Sequence, residues 1–315
     1  MGEFELIRTL FRPLADATWK DGVRLGPGDD CAIQRIPPGH ELVFSIDTLV
    51  AGVHFPVGYD PERLGWRALA VAVSDLAAMG ADPVCYTLAL TLPEADEAWV
   101  RSLSEGLRQA SLDAGIALAG GDITRGPLTL SLQVHGTAPE GQAIARNGAR
   151  PGDLVVVSGP LGGAAAALAW LEADKPPASA EGFLARYHHP RPRCGLGRQL
   201  RGVATAAIDI SDGLVADLGH ILEASGVGAR LEPDRIPRTF GGGQSTLEQA
   251  LYGGDDYELC ITLPRPAMDR LPADVAEGLS VIGEICAGSG IQLLTANDVI
   301  EEIAVPAGYD HFKEP

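Results

Sequence analysis

The sequence predicts an α/β (α+β) protein of two domains, 1–148 and 149–315. Three observations predict it. A length of 315 residues accommodates two domains of roughly 150 residues each. Strand-like and helix-like patterns alternate along the whole chain. A new turn–strand–turn–helix pattern opens at ARPGDLVVVSGPLGG (149–163), which sets the boundary near 148–152.

The elements follow in order. Residues 4–14 read as a short amphipathic helix with Phe4, Ile7, Leu10, Phe11 and Leu14 on one side. LGPGDDCAI (25–33) is a turn leading into a strand. ELVFSIDTLV (41–50) is a strand whose VFSI centre is expected to be buried. Residues 62–81 have helical spacing and stop at Gly80 and Pro83. VCYTLALTL (84–92) reads as a buried strand, 94–114 as a helix, IALAG as a strand, GGD (120–122) as a turn, and 128–138 as an alternating strand. In the second half, LVVV is a strand and PLGGAAAALAWLEAD a helix. Residues 172–182 are a loop, and His188 and His189 are read as loop residues. Helix 193–202, strand and turn 204–214, helix 214–225, and turn plus strand 252–263 complete the pattern.

Composition narrows the function. Hydrophobic residues are 46% of the chain, enough for a buried core, so disorder is excluded. There are 24 basic and 42 acidic side chains, a net charge of −18, which argues against nucleic acid or an anionic membrane as partner. Anionic ligands stay possible, because bound metal ions reverse the local sign. Lys20, Lys175 and Lys313 are the only lysines and none follows a glycine, so a P-loop is absent. The five cysteines are scattered and form no CxxC, which fits a reducing cytoplasm better than a disulfide framework. The N-terminus is acidic where a signal peptide is basic, and no apolar run approaches a membrane span.

The informative feature is the placement of the acids. Asp29, Asp30, Asp47, Asp75, Asp122, Asp209, Asp212, Asp255 and Asp256 lie beside glycines, at strand ends or within apolar stretches. A buried carboxylate without a partner is costly. Several converging carboxylates call for a hard cation, and Mg²⁺ takes oxygen ligands while sharing water and substrate phosphates. Each Asp also has a plainer reading. Asp beside Gly makes turns, Asp47 could end a strand, and an Asp of IDISDGL could cap helix 214–225. Asp75 is the hardest to read that way, because it falls mid-helix among apolar residues. GPLGG (159–163) is shaped like an anion-binding helix start, or like tight strand–helix packing. Arg146 reads either as a surface arginine or as a phosphate clamp.

GPGDDCAI, FSIDTLVAGVHF, AVAVSDLAAMGADP, LAGGDITRG, ARNGARPGD, IDISDGLVADL, GGDDYEL and GYDHF follow one another from about residue 25 to 312. This series resembles the thiamine-monophosphate kinase family, a branch of the aminoimidazole-ribonucleotide-synthetase-like ATP-binding superfamily. The resemblance implies an enzyme that phosphorylates thiamine monophosphate with ATP to give thiamine diphosphate, the last step of that cofactor's biosynthesis. It also implies a homodimer in which the N-terminal sheets pair. Carried over by matching motif, Asp30, Ser45, Asp47, Asp75, Asp122, Asp209 and Asp212 would hold several Mg²⁺ ions. Gly121, Asp122, Arg146 and Ser211 would contact ATP. His54, Glu258 and Tyr309, with Phe312 as second choice for the aromatic, would contact thiamine monophosphate. The family reads Ser-Thr-Asp where this chain has Ser45-Ile46-Asp47, so any metal contact at Ile46 would use its backbone carbonyl. The acceptor phosphate is already ionised near neutral pH, so no general base is expected and transfer would be direct and in-line. The sibling enzymes fit less well: selenophosphate synthetase would want a reactive cysteine near a Gly-rich N-terminus, absent from residues 1–24. A non-catalytic cation-binding protein would want EF-hand-like loops, and none is present.

Overall fold

A computed structural model describes residues 2–241, 243–294, 300–305, 308 and 312. It divides into two compact units, Met1–Leu76 with Ala81–Gln142, and Ala143–Pro315 with Ala77–Gly80.

The first unit opens with helix α1 (Glu3–Leu6), a wide helical turn Ile7–Phe11, and α2 (Arg12–Ala17). Leu6, Leu10, Phe11 and Leu14 are buried, whereas Phe4, expected on that face, is exposed. Strands β1 (Val23–Leu25) and β2 (Ile33–Gln34) form a small ribbon. The main sheet has the order β3-β6-β4-β5, with β3 His40–Val50, β4 Asp82–Leu92, β5 Ala117–Arg125 and β6 Thr129–Pro139. Helices α3 (Pro61–Ala78) and α4 (Glu97–Ala114) connect it. Asp96 caps α4 by accepting from the Ala98 and Trp99 N–H groups. The two helices approach at Gly65 and Gly106, where a Cβ on Gly106 would lie 1.8 Å from the Glu62 carbonyl oxygen.

Strand period decides the two faces of this sheet. Even positions of β4 and β6, such as Leu88, Leu90, Leu130, Leu132 and Val134, are buried. In β3 the odd positions share that face, because Asp47 pairs with Leu132 and Ser45 with Val134. The even positions Phe44 and Ile46 are therefore 61% and 62% exposed, against the expectation of a buried VFSI centre. GGD (120–122) is likewise no turn. It lies within β5, where a Cβ on Gly121 would come within 2.1 Å of the Leu88 carbonyl oxygen of the parallel neighbour.

The second unit is built on a seven-stranded sheet, ordered β13-β12-β9-β11-β7-β10-β8. Its strands are β7 (Asp153–Val157), β8 (Ala206–Asp209), β9 (Gly228–Leu231), β10 (Leu259–Pro264), β11 (Ser280–Cys286), β12 (Ile291–Leu294) and β13 (Ile300–Ile303). Its helices include α5 (Gly163–Ala167), α6 (Glu181–His188), α7 (Cys194–Gln199), α8 (Leu214–Ser225) and α9 (Leu247–Tyr252). Val155, Val157, Ile208, Leu218, Ile221 and Ile282 belong to one continuous core. The Ala-rich helix is shorter than its pattern suggests: it begins only at Gly163, after Gly162 at φ 76°, and passes into a tighter turn at Leu168–Trp170. His188 is no loop residue but the buried last residue of α6, while His189 is exposed.

Candidate active site

In the first unit, β3 and α3 bring two carboxylates into electrical contact. Ser45 Oγ donates to Asp75 Oδ2. Asp47, on the same face of β3 as Ser45, is pushed up to about 6 by burial and then by the charge of Asp75. Asp75 is half-buried in the last turn of α3, among residues that are otherwise core. Asp30 is exposed, and its N–H donates to the Asp29 side chain at 2.9 Å. Asp122 and Gly121 are exposed on β5. The side chain of Ile46 points to the opposite face from Ser45 and Asp47, so its missing hydroxyl is remote from the Asp47–Asp75 pair. His54 is half-buried, and its Nδ1 accepts from the Val50 N–H at 3.0 Å, which leaves any ring proton of neutral imidazole on Nε2.

Among the described residues, no group of three or more His, Cys, Asp or Glu side chains is arranged to hold a metal ion. The Asp47–Asp75 pair still fits Mg²⁺, which is commonly bound through one or two carboxylates, its remaining ligands being water and substrate phosphate. A cation there would relieve the repulsion that raises Asp47.

In the second unit, Asp209 is buried at the end of β8, and the loop after it carries Ser211 and Asp212. That loop is held from two sides. Asp217, in the first turn of α8, accepts from the N–H groups of Ser211 (2.9 Å) and Asp212 (3.0 Å). The segment 255–258 binds it by backbone: Asp255 N–H donates to the Ser211 carbonyl, Tyr257 N–H to that of Ile210, and Ile210 N–H to that of Glu258. Burial first, offset by those two N–H donors and raised again by the Asp212 charge, puts Asp217 at about 7. α8 therefore takes no Asp as N-cap: Gly213 stands there, without a side-chain cap. Arg146 is exposed. Beside the loop, a Cβ on Gly308 would lie 2.5 Å from Asp212 Oδ2, so Gly308 itself lies against this carboxylate. Tyr309 lies outside the described residues; Phe312 is fully exposed.

Glu258 has a different setting from the one expected of a substrate contact. It is 1% exposed and fully engaged. Oε1 accepts from Arg186 Nη2 (2.6 Å) and Arg193 Nη2 (2.5 Å); Oε2 accepts from Arg193 Nε (2.7 Å) and Ser158 Oγ (2.6 Å). Burial alone would raise this carboxyl, but Arg193, Arg186 and Ser158 outweigh it and hold it below its ordinary value. The GPLGG turn is also internally occupied, because Asp256 accepts from Gly162 N–H (2.7 Å) and Gly163 N–H (3.2 Å). The anion at that helix start is the protein's own. Sequence reasoning missed Arg186, Arg193, Ser158 and Asp217. Only Asp217 left a signal, as an acid in the first turn of a helix behind a Ser-Asp-Gly turn.

The two halves match the AIR synthase related protein family, its N-terminal domain over residues 28–138 and its C-terminal domain over 150–295. That defines the class: a two-domain, AIR-synthase-related α/β protein. Thiamine-monophosphate kinase of Salmonella typhimurium is 44% identical, the alignment covering 100% of this chain and 99% of the relative. The crystal structure of thiamine-monophosphate kinase from Stenotrophomonas maltophilia is similar at TM-score 0.82 and 40% identity, covering 90% of this chain and 95% of that one. AaThiL, solved in complex with AMPPCP and TMP, is similar at TM-score 0.79 and 30% identity, covering 99% and 97%. The chain belongs to the thiamine-monophosphate kinase family.

Proposed function

We propose that this enzyme transfers the γ-phosphoryl group of ATP directly to the phosphate of thiamine monophosphate, forming thiamine diphosphate and ADP, with the help of several Mg²⁺ ions. The kinase activity itself follows from family membership, and AaThiL binds an ATP analogue together with TMP. The observation that carries the chemistry is the half-buried Asp47–Asp75 pair, in which the charge of Asp75 helps to raise Asp47. In the first unit Asp30, Ser45, Asp47, Asp75 and Asp122 would hold Mg²⁺; in the second, Asp209 and Asp212. The metal supplies charge neutralisation between two anionic phosphates. Gly121 and Asp122 on β5 would receive ATP, as would Arg146 and Ser211 in the second unit. His54, held by the Val50 N–H, would face thiamine monophosphate. Tyr309 would stack on it, a role carried over from the family motif GYDHF. The acceptor is already ionised, so no side chain is assigned as general base.

A homodimer built on the first unit's sheet is part of this reading. Leu42, Phe44 and Ile46 present an apolar row on the open face of β3, of the kind a partner surface covers. The test incubates the protein with ATP, Mg²⁺ and thiamine monophosphate and separates the products. Thiamine diphosphate and ADP should appear one to one and vanish with EDTA, and light scattering on the same preparation should give twice the chain mass. ADP with free phosphate and no thiamine diphosphate would discard the acceptor; a monomeric mass would discard the dimer.

A further inference from the structure

The loop that carries Asp30 runs from 26 to 32, between β1 and β2. The ribbon alone is too short to hold it: β2 has two residues, and its pairing with β1 slips between Val23 and Leu25. On the entry side Gly26 lies against the Trp19 ring, where a Cβ would come within 2.9 Å of it, and Gly28 turns the chain at φ 120°. On the exit side stands Gln34. It pairs across the ribbon with Val23, so the two side chains share one face. Val23 packs into a small core with Val84, Cys85, Ala117 and Ala119. Gln34 reaches the main sheet by polar contacts: His135 Nδ1 of β6 lies 2.8 Å from its Oε1, and Cys85 Sγ of β4 donates to that oxygen at 3.7 Å.

This joint is under-satisfied. Burial pushes His135 below its ordinary value, which keeps the ring neutral at neutral pH. With Nδ1–H donating to Gln34, Nε2 is a bare acceptor. Neither that nitrogen nor Gln34 Nε2 has a hydrogen-bond partner among the described residues, and both are enclosed. Polar atoms left in that state cost stability, and an apolar pair of similar shape would seal the ribbon to the sheet without the cost. What the polar pair adds is direction, because a hydrogen bond fixes where Gln34 sits against β6. Only Cys31, Ala32 and Ile33 stand between Gln34 and Asp30.

We infer that His135 is a positioning residue for the metal site: through Gln34 it fixes the exit of the 26–32 loop, and so the place of the Asp30 carboxylate. This rests on the reading of Asp30 as a Mg²⁺ ligand. It gives His135 no contact with metal or substrate.

The experiment titrates Mn²⁺, which like Mg²⁺ takes six oxygen ligands, into the nucleotide-free protein and reads the free ion by electron paramagnetic resonance. The proteins are the wild type, His135→Leu, His135→Asn, Asp30→Asn and the double variant Asp30→Asn with His135→Leu. His135→Leu removes the donor and the orphaned acceptor together, and should weaken Mn²⁺ at one site about fivefold, the worth of one hydrogen bond. His135→Asn puts an amide N–H where Nδ1 stands and should bind within about twofold of wild type. In the Asp30→Asn background His135→Leu should change nothing further. Turnover should follow: in His135→Leu the Mg²⁺ concentration for half-maximal rate rises, while the rate at saturating Mg²⁺ stays within about twofold of wild type. If His135→Leu does not fold, Gln34→Leu, which removes the acceptor, carries the test by the same criterion. Unchanged Mn²⁺ affinity in folded His135→Leu, no recovery in His135→Asn, or additive losses in the double variant overturns the inference while leaving Asp30 a ligand. Unchanged affinity in Asp30→Asn removes Asp30 from the metal site and overturns both.

Discussion

The buried acids of the two units are handled in opposite ways. In the first unit Asp47 and Asp75 face each other, and Asp47 is raised by burial and by that neighbour. In the second unit Glu258 is more deeply buried and yet lowered, because two arginines and a serine surround it. The protein can therefore neutralise a buried carboxylate completely when it supplies the cation itself. The difference agrees with the proposal that Asp47 and Asp75 receive charge from outside, whereas Glu258 is neutralised internally. Stability and catalysis should respond in opposite senses to the removal of charge at the two places.

The largest expected effect is on turnover. Asp75→Asn keeps the shape and an acceptor for Ser45 Oγ but removes one charge of the pair. Turnover should fall by about 10²-fold or more, equivalent to ~2.7 kcal/mol of transition-state stabilisation. Thermal stability without metal should hold or rise, because the repulsion that raises Asp47 is gone. Thiamine diphosphate formation and a melting curve on the same variant check both halves. Near-normal turnover would remove Asp75 from the metal site and collapse the contrast.

Glu258→Gln should do the reverse and lose stability first. Removing one partner of a buried ion pair strands the other charge and costs about 3–5 kcal/mol. Both guanidiniums here reach solvent, so about 2 kcal/mol is expected, read as a shift in the urea midpoint at constant slope. A variant as stable as wild type would mean the arginines rehydrate freely and that Glu258 is no anchor.

Much of this was legible in the sequence, and what was not has definite causes. The two-unit α/β plan, α3, α4, α8 and the strands flanking them follow from periodicity, because each buries one continuous face. Asp47, Asp75 and Asp209 stand out in the sequence as carboxylates within apolar stretches, and the structure places all three at least half-buried. What the sequence hid was side-chain partnership. Arg186 and Arg193 are 72 and 65 residues from Glu258 along the chain, and no local pattern announces such a pairing. Strand faces were misjudged where both faces carry apolar residues: Val43-Phe44-Ser45-Ile46 reads as core, but the pairing of Asp47 with Leu132 sends Phe44 and Ile46 outward. Glycine usually marks a turn, which is why GGD reads as one. Here Gly121 is required instead by the close passage of the Leu88 carbonyl.

Asp256 sharpens the comparison within the second unit. It is as well hydrogen-bonded as a carboxylate at a helix start can be, with two backbone N–H donors, yet burial still raises it to about 7. The two N–H donors and the charge of Arg186 together do not offset burial here, and the neighbouring Glu258 charge adds to the rise. The consequence for stability has a fixed sign. The folded chain keeps this proton up to about pH 7, whereas the unfolded chain loses it near its ordinary value of 3.8. Between those limits the native state binds more protons, so stability falls as pH rises, by up to about 1.4 kcal/mol per pH unit from this group alone. Asp256→Asn cannot lose a proton, and its stability curve between pH 4 and 7 should be flatter than that of the wild type by that slope. Denaturant midpoints of the metal-free proteins across this range measure it. Parallel curves would mean that the two N–H donors and Arg186 together hold Asp256 ionised throughout.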